Sequence, residues 1–430
     1  MAYTDFIAAI DLGTSHMVGM VGTKNATGAL SIIAYEVENS GTCIRRGCVY
    51  NVKETASKIR RLILKLENKL GGAKIGQVYV GLGGQSLRSI EHTVCKVLGT
   101  EGVVTEEIID SLYQECKDYR PDMLTVLDVV SPSYFLDDKP ESNPVGVPCS
   151  RIEARYKLIV GRPSLKLNII NSISEQAKIE IAGILVSPLA LGDVVLSDNE
   201  KDLGCALIGF GAGVTTITVY KGGKLASLSV VPFGGNLITK DITNLRVVES
   251  EAERLKITYG SAKADRDNDM TIQVSLADGM GLREIKLAEL NGVIEARMDE
   301  ILENVYARLE ATGLMSVLGA GIVITGGGAA LKNLPAVMSE RLKMEVRYSA
   351  VRKGIVASGD LVVASNPEYA VAVGLLAKGT KNCALYIPPK PEPKIEPVVE
   401  PEPTVEPTPE PVKEKPKLSL IHISEPTRQA

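Results

Sequence analysis

Two stretches, AAIDLGTS at residues 8–15 and ALIGFGAGV at residues 206–214, decide the fold. Each is an apolar strand that breaks into a glycine turn, and each resumes as a strand, from His16 to Gly22 in the first case and from Thr215 to Tyr220 in the second. The second return is followed by the turn Lys221-Gly222-Gly223-Lys224 and another strand from Leu225 to Val231. Two such hairpins, about two hundred residues apart, predict a duplicated α/β domain whose halves turn two glycine tips toward each other. A tight tip aims several backbone N–H groups at one point, and small residues let a phosphate approach them. Either turn alone reads better as a hairpin that merely needs positive φ angles; the pair favours a phosphate clamp.

Outward from the tips, amphipathic spacing predicts helices over Glu54 to Leu70, stopped by Gly71-Gly72, and over Val293 to Leu309, ended by Gly313. Gln77 to Leu82 reads as a strand. A third glycine element follows the strand Gly321 to Thr325, where Gly326-Gly327-Gly328 is expected to open into a helix through Leu334 to Leu342, offering an N-terminus and room for a ribose or purine. Ser250-Glu251-Ala252-Glu253 reads as a capping box for a helix ending at Gly260, with Glu253 and Lys256 on one face, either as ligand contacts or as a solvated ion pair. From about Gln85 to Ser164 the texture changes: strand-like HTVCKVL, LTVLDVV and ARYKLIV surround a helix beginning at Thr105, with a loop from Ser131 to Pro148. This stretch predicts a small α/β subdomain inserted into the first half. From Pro388 to Lys417 lie eleven of the chain's 22 prolines, alternating with Glu, Lys, Val and Thr, which predicts an extended tether rather than a packed element.

Composition narrows the chemistry. With 48 basic against 52 acidic residues the chain has no global basic field for nucleic acid. Seven scattered cysteines without CxxC pairs argue for reduced thiols and against a metal cluster, and three histidines leave little for a histidine-based triad. No apolar run reaches the eighteen or so residues of a membrane span, and MAYTDFIAAID lacks a basic leader. The chemistry falls to glycines and acids.

In this order, the elements resemble the phosphate 1, phosphate 2 and adenosine motifs of the actin-like ATPase superfamily. The runs IAAIDLGTSHMVGMVG, VVPFGGNLITKDI, EAERLKITYGSA, IVITGGGAALKNLP and NPEYAVAVGLLAKG, with the insertion in the first half, are similar to the bacterial cell-division protein FtsA over residues 1 to about 380. The resemblance implies an α/β actin-like fold, duplicated in the ribonuclease H manner, with two domains around a nucleotide cleft. Its subdomain 1A is expected at 1–84 with 165–192 and 365–386, the inserted 1C at 85–164, 2A at 193–242 with 320–364, and 2B at 243–319. A tether is expected at 387–417 and a truncated or artefactual C-terminus at 418–430. It further implies ATP and Mg2+ as cofactors. Asp11, Gly13, Thr14 and Ser15 would hold phosphate, with Asp11 reaching the metal through water. Gly211, Ala212 and Gly213 would form the second clamp, Glu253 and Lys256 would flank base and ribose, and Gly327 and Gly328 would lie against adenosine. Phe233, Gly234 and Gly235 fit the family's turn at the cleft.

The chain departs from that pattern where hydrolysis is concerned. Gly209 stands where actin-like ATPases carry an Asp that organises metal and water, Val214 replaces a Thr, Ser187 replaces the water-orienting Glu of MreB-type relatives, and His16 stands where actin has a phosphate-contacting lysine. Loss of a water-orienting acid costs roughly 10²- to 10⁴-fold in rate, whereas binding through backbone N–H groups survives. The expectation is therefore an ATP-binding scaffold with weak or absent hydrolysis. By resemblance it self-associates through the 1C region, contacts FtsZ and other division proteins, and belongs at the cytoplasmic face of the membrane at the division site, with peripheral membrane binding expected of the full-length parent. An active ATPase or small-molecule kinase of the same fold is the alternative. The final LSLIHISEPTRQA, with Pro426 and no basic apolar face, does not read as the amphipathic membrane helix with which the family ends, so the expectation is a truncated native end or artefactual last residues, and poor membrane binding by the chain as given.

Overall fold

The computed structural model describes residues 5–99, 102–275, 281–357, 363 and 366–385, so the expected tether and the segment 418–430 lie outside the described residues. The first half opens as an antiparallel meander of β1 (Ile7–Leu12), β2 (His16–Lys24) and β3 (Leu30–Asn39). A small hairpin, β4 (Ile44–Arg45) and β5 (Cys48–Val49), turns through Arg46 and Gly47, both at positive φ, as a two-residue connection requires. It leads into α1 (Val52–Lys69), whose N-cap Asn51 side chain accepts from the Glu54 N–H and whose Ile59, Leu62, Ile63 and Leu66 are buried. The chain returns through β6 (Gln77–Leu82), parallel to β1.

From Arg88 to Gly161 a separate sheet forms from β7 (Arg88–Val97), α2 (Glu106–Asp118), β8 (Thr125–Leu136), β9 (Lys139–Glu141) and β10 (Arg151–Gly161), in the strand order β7-β10-β8-β9. Ile152, Ala154, Tyr156 and Leu158 of β10 pack with Leu112 and Cys116 of α2 into a core of their own. Part of the stretch expected as a loop from Ser131 is strand: β8 runs on to Leu136, and the register shift between Arg155 and Lys157 falls opposite Pro132. A proline cannot donate to the ladder, so a bulge is where it is tolerated. The chain rejoins the first half through α3 (Ser164–Ile170), a π-helical stretch Asn171–Ala177, β11 (Glu180–Val186) parallel to β6, α4 (Ser187–Val195) and α5 (Asp198–Leu203).

The second half repeats the scheme with β12 (Cys205–Phe210), β13 (Thr215–Lys221) and β14 (Lys224–Val231), then α6 (Gly235–Ile242), α7 (Glu249–Tyr259), the hairpin β15 (Thr271–Ser275) and β16 (Leu282–Lys286), and α8 (Leu287–Glu310). It closes with β17 (Ile322–Thr325), α9 (Leu334–Leu342), β18 (Val346–Tyr348) and α10 (Ala370–Lys378). The two five-stranded sheets have the same order, β3-β2-β1-β6-β11 and β14-β13-β12-β17-β18, each an antiparallel meander followed by parallel strands. The echo seen in the glycine turns is thus a duplication of the whole sheet. Strands β1, β6, β12 and β17 are buried almost end to end, as sheets covered by helices on both faces must be. Helices α4 and α10 cross where a Cβ on Gly374 would run into the Ala190 carbonyl, so the two backbones touch directly at a glycine.

Two local expectations are corrected. The triple glycine does not open a helix: Gly327–Ala330 is a single 3-10 turn, and α9 begins only at Leu334, after Asn333 adopts the left-handed conformation and with Pro335 in its first turn. Nor does a capping box form at Ser250. Helix α7 starts at Glu249 behind Val248, which has no side-chain cap, and the carboxylate of Glu253 is engaged elsewhere.

Candidate functional site

The β1–β2 and β12–β13 tips meet. A Cβ on Gly213 would stand 2.6 Å from Thr14 Oγ1 and 3.0 Å from Arg46 Cα. Each tip is braced from behind. Ser40 Oγ donates to the Gly13 carbonyl at 2.7 Å and the Ser40 N–H to the Ser15 carbonyl at 2.9 Å, while Gly47 N–H donates to Thr14 Oγ1 at 2.9 Å. In the second tip Gly211 N–H closes on the Val214 carbonyl at 2.9 Å, and the Gly211 and Ala212 carbonyls accept from Gly235 and Asn236 at 3.0 and 2.8 Å, at the start of α6. Glycine is obligatory at Gly13, where a Cβ would meet the His16 carbonyl at 2.5 Å. With the carbonyls so occupied, the N–H groups of Thr14, Ser15, Ala212 and Gly213 have no protein acceptor among the described residues.

These tips open on a cavity of about 540 Å³, within the range of small-molecule sites. Asp11, Gly13, Thr14, Ser15, Gly211, Ala212, Gly213, Glu253, Lys256, Gly327 and Gly328 all line it, together with His16, Ser187 and Gly209. Asp11, the last residue but one of β1, is half-buried at the cavity. Desolvation pushes its carboxyl up to about 6, partly opposed by a hydrogen bond from the Leu12 N–H. A Cβ on Gly81 would lie 2.5 Å from Ser187 Oγ and 3.1 Å from Asp11 Oδ1, so a hydroxyl and a carboxylate share the cavity floor. An ionised carboxylate so placed is poorly compensated by protein, and a hydrated cation is what would stabilise it.

At the other end, Lys256 Nζ donates to Glu253 Oε2 at 2.7 Å, Thr239 Oγ1 at 2.8 Å and the Gly235 carbonyl at 3.2 Å. Its side chain is 14% exposed against 43% for Glu253, which makes the pair a tie between α7 and α6 on the cavity wall rather than a freely solvated surface pair. Gly326 has φ 87°, and a Cβ there would meet the Phe210 carbonyl at 2.5 Å; Gly327 is open except for Glu368 Oε1 at 3.5 Å. The turn therefore makes room beside β12 through backbone geometry, without a helix dipole. Thr325, just before it, is buried, and its hydroxyl has no partner among the described residues.

Sequence reasoning missed Gly47, Thr239 and Glu368, which also line the cavity. The Arg46-Gly47 dipeptide between short apolar runs was a hairpin signal that could have found the first. Thr239 and Glu368 carry no local signal, because they reach the cavity only through the packing of α6 on α7 and the approach of the Pro367–Tyr369 turn.

A sequence profile of the family described as "Cell division protein FtsA" matches residues 206–374. The FtsA of Porphyromonas gingivalis strain W83 is 39% identical over 382 residues, covering 88% of this chain and 79% of that protein. The FtsA of Bacillus subtilis strain 168 is 32% identical over 392 residues, covering 90% and 86%. The chain belongs to the FtsA family of cell-division proteins. Among solved structures, this FtsA-family chain superposes on one from the PilM–PilN type IV pilus biogenesis complex with TM-score 0.62 at 16% identity, over 87% of this chain and 98% of that one. It superposes on MreB5 of Spiroplasma citri bound to ADP with TM-score 0.51 at 14% identity, over 86% and 95%. The fold is actin-like.

Proposed function

We propose that this FtsA-family chain binds ATP with Mg2+ in the 540 Å³ cleft and acts as a self-associating scaffold that tethers FtsZ to the cytoplasmic face of the membrane. The observation that carries the binding is the convergence of two glycine tips with free N–H groups on a cavity that also holds Asp11. The likeness to MreB5, whose structure holds ADP, supports it at the level of the fold. The residues present fit both groups. Thr14, Ser15, Ala212 and Gly213 offer N–H groups to phosphate oxygens, Asp11 offers a carboxylate to water on the metal, and Lys256, Glu253 and the Gly327–Gly328 turn bound the space for ribose and base. When bound, the metal supplies positive charge beside the phosphates. Asp11 is then ionised, because a nearby cation reverses the desolvation that raises its pKa.

Hydrolysis is weak in this proposal. The cavity wall carries Gly209 and Ser187 where acids would orient water, so the ligand's main effect is to favour one angle between the halves by its differential affinity. The separate sheet spanning Arg88 to Gly161 serves as the self-association subdomain 1C, and the stretch 243–319 as 2B beside 2A and 1A. Among the described residues no helix is long and apolar enough to cross a membrane, which is compatible with peripheral attachment. Calorimetric titration with ATP and Mg2+, with phosphate release followed in the same sample, tests the proposal. Saturable binding with little release supports it, and absence of binding overturns it.

A further inference from the structure

A second cavity, of about 290 Å³, lies away from the nucleotide cleft, where the start of β7, the edge strand β14 and the C-terminal end of α8 come together. Arg88, exposed on β7, and Arg308, exposed on α8, line its wall, and among the described residues no carboxylate does. Neither guanidinium has a hydrogen-bond or ion-pair partner among the described residues. Ser227 and Ser229 of β14 add hydroxyls without a side-chain hydrogen bond among the described residues. At the cavity the junction is clasped by Ser89 Oγ, which accepts from the Leu228 N–H at 2.8 Å and donates to its carbonyl at 3.4 Å, and farther along β14 Lys224 Nζ donates to the Pro132 carbonyl of β8 at 2.6 Å. It therefore joins the inserted sheet of the first half to the outer strand of the second.

Two arginines and two free hydroxyls around a space of this size, with no acid among them, are unbalanced in charge and rich in donors. Guanidinium forks match the paired oxygens of a phosphate group, and charge-assisted bonds of this kind are the strong ones. We propose that this junction is a binding site for a phosphate group, held between Arg88 and Arg308, that ties the inserted sheet to the second half. The site is independent of the nucleotide cleft, so its failure leaves the proposed function standing.

The test uses the full chain, with and without saturating ATP and Mg2+, and compares wild type with the R88Q/R308Q double variant. Thermal unfolding is followed as inorganic phosphate replaces chloride at constant ionic strength. Wild type should gain a saturable rise in midpoint that the double variant lacks, while ATP affinity stays equal in the two proteins; the wild-type-minus-variant difference removes any phosphate bound in the main cleft. Amide exchange at Leu228 should slow on adding phosphate in wild type alone. A parallel flotation with phosphatidylglycerol vesicles distinguishes the source of the group. Arginine-dependent flotation assigns it to a lipid headgroup, and arginine-dependent stabilisation by free phosphate assigns it to a soluble ligand. Equal behaviour of wild type and variant in both arms overturns the site, and a variant that fails to fold is replaced by R308Q alone, judged by the same difference.

Discussion

Replacing Gly213 by alanine tests the meeting of the two tips. The added Cβ would stand 2.6 Å from Thr14 Oγ1, 2.8 Å from Thr14 Cγ2 and 3.0 Å from Arg46 Cα. Thr14 cannot simply rotate away, because its Oγ1 accepts from Gly47 N–H at 2.9 Å, and losing such a bond costs about 0.5–1.5 kcal/mol. The Arg46 backbone is held in the left-handed region by its own turn and has little freedom to retreat. Relief therefore comes from parting the tips, at the roughly 1–3 kcal/mol typical of overpacking. Parting them separates the N–H groups that converge on phosphate, so calorimetry should record ATP binding weakened about 5- to 150-fold. The double variant T14A/G213A removes the main clash. Its loss should fall short of the sum of the single losses by about 1 kcal/mol, the size expected for residues in contact. Binding by G213A within twofold of wild type, or strict additivity in the cycle, would refute the closed-tip geometry.

Other changes report on separate parts of the molecule. Asp11 has a folded-state pKa of about 6, above its unfolded value, so the native state binds more protons between roughly pH 4 and 6 and loses stability as pH rises through that window. D11N should thus melt higher than wild type at pH 7.5 without Mg2+, by up to about 3 kcal/mol, lose most of that advantage near pH 4, and bind ATP without responding to Mg2+. K256M should lower ATP affinity about tenfold or more and reduce the melting temperature, since it leaves Glu253 and Thr239 without their shared donor; calorimetry and melting read the two effects. Gly292, inside α8 with nothing near its Cβ position, should stabilise the chain by about 0.5–1 kcal/mol when changed to alanine, measured by denaturant unfolding.

The two turns at Gly13 and Gly211 were legible because hairpin tips and the strands feeding them are local in sequence. That they mark a duplicated domain also followed, since each turn comes with its own return strand, whereas the identical five-strand order of the two sheets is seen only in the structure. What the sequence did not give was set by tertiary packing. The Ser250 box has the right letters, yet α7 starts at Glu249, two residues before a helix capped by Ser250 would, and Glu253 turns to Lys256 and Thr239. The triple glycine has the composition of a helix opening, yet Asn333 and Pro335 postpone the helix, leaving a turn whose value lies in Gly326 passing close to Phe210. Pro132 within β8 is the same lesson inverted: a loop signal absorbed by a bulge.

The missing acid at Gly209 is built into its surroundings and is not a simple vacancy in the pattern. Gly209 pairs with Thr216 on one side and Thr325 on the other, and a Cβ placed on it would stand 2.6 Å from Thr216 Oγ1. The Thr216 hydroxyl thus crowds the space through which an aspartate would have to reach the cleft, and Ser187 offers no second carboxylate opposite. G209D alone should therefore weaken ATP binding and raise phosphate release by less than about tenfold, below the roughly 10²-fold that a well-placed water-orienting acid contributes. G209D/T216A, which opens the space, should recover the binding. A hundredfold gain in turnover from G209D alone would mean that the cleft is poised for hydrolysis and lacks only this one acid. The backbone-bound scaffold would then have to be abandoned for an ATPase.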